Sequence, residues 1–270
     1  MRKATGIPAT LGAAAIGVAL TAATAGTAHA ASAPTVGQLN AKAAISGLYN
    51  KTNNSDAMWG ETLDGSVTAP LTHDFGFQTD ALLGSRQGSN LLGVGEHIFM
   101  RDPSTGLVGL TASYLKADVN GPTGFYGVSR IGGEGELYSG PFTVAMQSGY
   151  QAGHHVDNGF YGSLTGYWYA DDNLRLGLGA ENDPTRDTTG LADVEYMPHL
   201  ADAPGMALFA NAGAGDHDYR AARIGVRFYF GADKSLKDRN REDDPVTNLP
   251  DDSLGGIPAP APETPTPAPV

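Results

Sequence analysis

The sequence predicts an all-β protein: a closed, antiparallel, up-and-down transmembrane β-barrel of twelve strands. Three observations carry this expectation. Runs of about 9–13 residues alternate apolar and polar side chains, the two-residue period of a strand with lipid on one face and a wet lumen on the other. Aromatic residues gather at the ends of those runs and not at their middles. The breaks between runs alternate between short and polar, longer ones, as turns at one rim and loops at the other would.

Taken in order, the chain opens with Arg2 and Lys3, an Ala-rich apolar stretch, and Ala28-His29-Ala30. A charged start, a short apolar region and an A-x-A site make a secretory signal peptide, residues 1–30. Its removal leaves 15 basic against 29 acidic residues, a formal charge of −14. Such an acidic chain lacks the basic surface that nucleic acid requires, so no nucleic-acid partner is expected. With no cysteine in 270 residues, disulfides and thiolate chemistry are excluded. A polar lead-in, 31–41, precedes the strands. No later stretch is apolar enough for a transmembrane helix, a test that alternating barrel strands escape.

Twelve runs then fill 42–231, at about 42–50, 59–70, 74–85, 91–101, 107–117, 125–138, 142–152, 159–169, 173–181, 190–197, 205–214 and 220–231. In the eighth, Phe160, Leu164 and Trp168 share one face and Tyr161, Thr165 and Tyr169 the other. In the ninth, Leu174, Leu176 and Leu178 alternate with Arg175, Gly177 and Gly179. The last run is the clearest. Ile224, Val226, Phe228 and Phe230 form a lipid face opposite Arg223, Gly225, Arg227 and Tyr229, and this strand is expected to pair with 42–50 and close the barrel. One residue breaks the pattern. Glu96 shares the parity of Val94, Ile98 and Met100, which suggests either a bulge at Gly93 or Gly95 or a shifted register.

Of 22 aromatic residues, only Phe209 falls near mid-strand. Two interfacial girdles explain that distribution better than a soluble β-sandwich, whose aromatics would fill the middle of its core. After Gly231 the composition changes to DKSLKDRNREDD and later PAPAPETPTPAPV. Residues 232–270 therefore read as an acidic, Pro-rich, disordered periplasmic tail, with a docking segment for a periplasmic partner as the lesser reading.

No nucleophile elbow, phosphate loop, dinucleotide fingerprint or zinc motif is present, so no catalytic residue, cofactor or metal ligand is singled out and the chain is read as non-enzymatic. His154, His155 and Asp157 are better read as loop polarity than as a metal site, because adjacent strand residues point to opposite faces. The inward charges are more informative. Asp64, Asp80, Glu134, Glu136, Asp193 and Glu195 stand against Arg101, Arg130, Arg175, Arg223 and Arg227, with His97 and Gln78 between. Signs this evenly balanced point to ion-paired networks that fill or constrict a lumen.

The closing strand and the segment after it, RIGVRFYFGADKSLKDRNREDDP, resemble a family of uncharacterised, porin-like outer-membrane β-barrel proteins from alphaproteobacteria. Further matching stretches are ETLDGSVTAPLTHDFGFQTDALLG at 61–84, GVGEHIFMRDPSTGLVG at 93–109, RIGGEGELY at 130–138 and YADDNLRLGLG at 169–179. The resemblance covers about residues 60–245 and implies a barrel in the cell outer membrane. It carries over no catalytic or ligand residue. The partners expected are outer-membrane lipid and the barrel-assembly machinery, which would read the aromatic end of the last strand. Passive passage of small solutes through a narrow lumen is the leading expectation for function. A plugged barrel with a structural or envelope-interaction role is the alternative, and a soluble periplasmic β-protein a weaker one.

Overall fold

The computed structural model describes residues 33–246, except 53–54, 87–88, 119–123 and 199, together with Leu249. The expected signal peptide and the Pro-rich end of the chain lie outside the described residues.

Alternation gives twelve strands: β1 (Asn40–Thr52), β2 (Ser55–Pro70), β3 (Gly76–Arg86), β4 (Ser89–Asp102), β5 (Gly106–Asp118), β6 (Phe125–Ser139), β7 (Phe142–His154), β8 (Gly159–Asp171), β9 (Leu174–Asp183), β10 (Asp187–Tyr196), β11 (Met206–Gly215) and β12 (Arg220–Phe230). Each pairs antiparallel with its neighbours, and β1 pairs with β12 from Ala41↔Phe230 to Lys51↔Arg220, so the sheet closes with no free edge. Closure meets the hydrogen-bonding demand of every strand, the condition for lying in lipid.

The outer surface is apolar. Leu178, Ile224, Leu110 and Ile131 point away from the barrel and are 74%, 69%, 68% and 68% exposed, values a water-soluble fold could not sustain as a continuous belt. Ile224, Val226, Phe228 and Phe230 lie on this face, while Arg223, Arg227 and Tyr229 turn inward.

Glu96 stays outward. The register runs unbroken from Gly76↔Phe99 to Arg86↔Ser89 on one side of β4 and from Leu91↔Ala117 to Asp102↔Gly106 on the other, so neither the suspected bulge nor a shifted strand turns it in. The Thr79 hydroxyl, directly across the sheet, donates to Glu96 at 2.9 Å and supplies the partner that lipid cannot.

Two further expectations need correction. The connections at the two rims differ little in length: 53–54 and 87–88 at one rim are as short as 140–141 and 172–173 at the other. The strands simply run on where long loops were expected. Beyond the tilted ring pair Tyr49–Trp59 (centroids 4.8 Å apart), β1 and β2 continue as a polar hairpin. β7 and β8 do the same beyond Tyr150–Phe160 (5.5 Å). We refer to this end of the barrel as the outer rim. At the inner rim, where β1 starts and β12 ends, Phe142, Trp168, Tyr196, Phe228 and Phe230 sit at the strand ends themselves.

The girdles are also thinner than the aromatic count suggests. Phe99, Tyr138, Tyr161, Tyr169, Tyr219 and Tyr229 are buried on the inner face, because their parity turns them to the lumen.

The largest departure comes after β12. Residues expected as a disordered periplasmic tail form a helical turn α1 (Leu236–Asp238) and a π turn (Arg239–Asp243) that enter the barrel from its inner rim. Ser235 caps α1, its side chain accepting the Asp238 N–H. Leu236, fully buried, packs with Met197, Ala207 and Tyr229. On the opposite side of the same mouth, Val36 of the lead-in packs with Phe99 and Leu107.

Candidate functional site

The site is the lumen, built by alternate residues of every strand and by the returning chain. Among the charges singled out from the sequence, three groups form.

The first joins β9, β10 and β12. Arg175 binds Asp193 (3.1 Å) and Glu195 (2.9 Å), Arg227 binds the other oxygen of Glu195 (2.8 Å), and the Tyr229 hydroxyl donates to Glu195 at 2.8 Å. Asn211 donates to Asp193 at 2.6 Å. The guanidiniums also rest on rings, Arg175 on Tyr167 and Arg227 on Phe209, both at 4.6 Å. The second group joins β3, β4 and β6. His97 bridges Asp80 (3.0 Å) and Glu134 (2.9 Å), with all three side chains nearly sealed from solvent. The third lies at the β12–β1–β2 seam, where Arg223 ion-pairs with Asp64 and donates to the Ser46 hydroxyl (2.6 Å).

Arg130 and Glu136 belong elsewhere. Arg130 reaches across to Glu181 (2.9 Å) and Asp183 (3.5 Å) on β9, where Arg186 joins them. Glu136 takes the Tyr138 hydroxyl (2.8 Å) and the Val246 N–H (3.4 Å). Sequence reading missed Glu181 and Arg186 as lumen charges, because they sit where β9 approaches its outer turn and resemble solvated loop residues. Parity alone places Glu181 beside Asp183 on the inner face.

Sequence reading also missed the returning chain. Arg241 donates to the Phe142 carbonyl (2.8 Å) and lies over Tyr138 (5.1 Å) and Tyr169 (5.5 Å). Asn240 donates to the Tyr169 hydroxyl (3.2 Å), the Thr68 hydroxyl donates to Asp244 (2.8 Å), and Lys42 donates to the Pro245 carbonyl (3.3 Å). Lys234 pairs with Asp243 (2.6 Å) and Glu242 (3.1 Å). Burial works against its charge, but those two acids outweigh it and hold the Lys234 pKa above the ordinary lysine range. The segment is thus fixed to β1, β2, β6, β7 and β8, around most of the inner mouth.

What remains is a cavity of about 260 Å³ beside the returning chain, lined by Arg175, Asp193, Asn211, Arg223 and Arg227 on the wall and by Asn240 and Val246 on the chain. Among the described residues no group of acids and histidines could hold a metal ion. His154 stacks on Phe125 (4.5 Å) and His155 meets the edge of Tyr126 (5.8 Å), so the pair packs as part of the outer hairpin.

No protein-family model matches the chain, and no curated protein matches it by sequence. Solved structures do match in fold. The KdgM porin superposes with a TM-score of 0.52 at 13% identity, over 70% of this chain and 99% of the porin. The KdgM porin in complex with disordered oligogalacturonate gives 0.51 at 12%, over 70% and 99%. The NanC porin gives 0.47 at 10%, over 69% and 98%. At these identities the likeness is one of fold alone, shared by the two KdgM structures: a closed, antiparallel β-barrel, here of twelve strands.

Proposed function

We propose that this chain is a non-enzymatic outer-membrane channel for small polar solutes, with a lumen narrowed by its own C-terminal segment. The observation that carries the reading is the small, charge-lined cavity left between the barrel wall and residues 240–246. Every strand pairs on both sides and the exterior is apolar, which supports a place in the outer membrane over a soluble periplasmic role. The alphaproteobacterial kinship suggested by the DKSLKDRNREDDP segment fits the same location.

The solute class is argued from charge. An acidic oligosaccharide, the ligand that accompanies one of the matching porins, would need a row of uncommitted cations. Here Arg130, Arg175, Arg223 and Arg227 are each engaged by carboxylates, which leaves Arg101, buried over the Phe99 ring at 4.8 Å, as a single cation and not a row. Small neutral or zwitterionic solutes suit such a surface better. The plugged-barrel reading gains from the hydrogen bonds that tie 240–246 to the wall, and it differs from the channel in one measurable respect. Refolded full-length protein in planar lipid bilayers should show a small conductance, and truncation after Ala232 should raise it several-fold. Conductance no greater than bare lipid in the full-length protein, with large openings only after truncation, would establish the plug. No conductance from either form would overturn both the channel and the plug.

A further inference from the structure

The polar groups that line the lumen cavity fall into two sets, occupied and free. On β1, β2, β6, β9–β12 and the returning chain, every charged, amide or hydroxyl side chain of the lining is occupied. Asn211 donates to Asp193, Asn240 to the Tyr169 hydroxyl and Lys42 to the Pro245 carbonyl, and the carboxylates and guanidiniums hold ion pairs or hydrogen bonds. β7 and β8 differ. Gln147 of β7 and Tyr161, Ser163, Thr165 and Tyr167 of β8 line the same cavity, and the amide and hydroxyls of these five make no hydrogen bond to another side chain or to the backbone among the described residues. All five are neutral.

Their placement follows from the pleat. Successive residues on one face of a strand stand about 6.6 Å apart, so Tyr161, Ser163, Thr165 and Tyr167 form a ladder of hydroxyls along roughly 20 Å of β8. Gln147 stands directly across from Ser163 and adds an amide that both donates and accepts. The neighbours of the ladder are small: Ala145 opposite Thr165 and Gly149 opposite Tyr161 on β7, with Gly179 and Gly177 beside Thr165 and Tyr167 on β9. A Cβ at Gly179 would collide with the Thr165 hydroxyl, and one at Gly177 would stand 2.8 Å from the Tyr167 ring, so a side chain at either place would push the ladder aside. Arg130 and Arg175 rest on the Tyr161 and Tyr167 rings, both at 4.6 Å, and hold them without using their hydroxyls.

We propose that this ladder is a binding track for neutral polyhydroxylated solutes of the sugar class, which rests on the channel reading and narrows its solutes from neutral or zwitterionic to neutral. A sugar hydroxyl donates and accepts at once, as do the Ser, Thr and Tyr hydroxyls, so a sugar exchanges its water for the ladder with no group left unmatched. A zwitterion needs a free cation and a free anion. In this cavity each charged group already has its partner, and a solute that captured one would strand the other in the wall. Hydrogen bonds to neutral groups are weak net of water, which suits passage: favourable enough to admit the solute and weak enough to release it.

Saturation-transfer NMR reads contact with a weakly held solute directly. Refolded full-length protein, in micelles of a detergent without a sugar head group, is given glucose or, at the same concentration, the zwitterion alanine. Glucose should receive several-fold more transfer than alanine. The triple variant Gln147→Leu, Ser163→Ala, Thr165→Val should lose most of the glucose signal, and Thr165→Val alone should lower it in the same direction if the triple variant does not refold. No glucose signal from the parent, an alanine signal as strong, or a glucose signal that the substitutions leave unchanged would each overturn the assignment. Ion conductance of the same preparations in planar bilayers separates this from the channel reading. Conductance without glucose contact sinks the sugar track and leaves the channel standing. Variant-sensitive glucose contact without conductance keeps the site and sinks the channel.

Discussion

The two sides of the lumen are held by different forces. The β9–β12 wall is a lattice of ion pairs, in which Glu195 alone serves Arg175, Arg227 and Tyr229. The outer part of the β3–β6 wall is apolar and binds Leu249 by burial. A charged wall rigidifies the barrel and leaves polar space beside it. An apolar wall fixes a guest and borders the same cavity only at Leu82 and Leu249. Placed face to face, they yield a lumen that is blocked on one side and wet on the other.

Substitutions that strike one wall and spare the other test this division. Glu195→Ala should have the largest effect. It strips Arg227 of its carboxylate and leaves Arg175 only Asp193, and breaking a buried pair in this way costs about 3–5 kcal/mol. The temperature at which the folded barrel loses its fast gel migration should fall, while the rise in conductance on truncation after Ala232 is kept. Leu249→Asp should do the reverse. It removes about 2 kcal/mol of burial and sets a charge against leucines. The barrel should keep its melting temperature, but its conductance should become noisy and rise as the distal segment leaves its seat. If Leu249→Asp conducts like the parent, Leu249 is not the anchor. Arg241→Ala is the mildest, at about 1–2 kcal/mol for the hydrogen bonds to Phe142 and Thr143. It should shift the frequency of openings and not their size, and a change in single-channel amplitude would count against the division.

The strands were legible because lipid outside and water inside enforce a two-residue period, and Ile224 to Phe230 obey it without exception. Strand ends at the outer rim were not: beyond the Tyr49–Trp59 pair both faces carry polar side chains, Asn50 and Thr52 inward and Lys51 outward, so hydropathy stops alternating although the pleat does not. Parity identified which charges point inward but not which of them meet. The Arg130–Glu181 contact joins residues 51 apart, and only the stagger of a closed barrel brings them together. The returning chain was hidden by its charge. DKSLKDRNREDD reads as a solvated run because its partners, the inward Tyr138 and Tyr169 and the Thr68 hydroxyl, are scattered over three strands. The available signal lay in Leu82, Leu91, Leu115 and Val128, leucines and a valine on the face that should be wet. Glu96 was hidden for the opposite reason. It keeps the strand's register and its outward face by taking a hydroxyl from β3.

The seam between β1 and β12 sets an order of events. Its partners, such as Ala41 and Phe230, are the most distant in the chain of any paired strands, so this ladder is the last to form. The segment that occupies the lumen is the direct continuation of β12. Once the seam has zipped, the stretch from Ala232 to Leu249 would have to be fed through a mouth already crowded by Leu236 and Val36. Loading must therefore precede sealing, and the barrel wraps around its own tail as it closes.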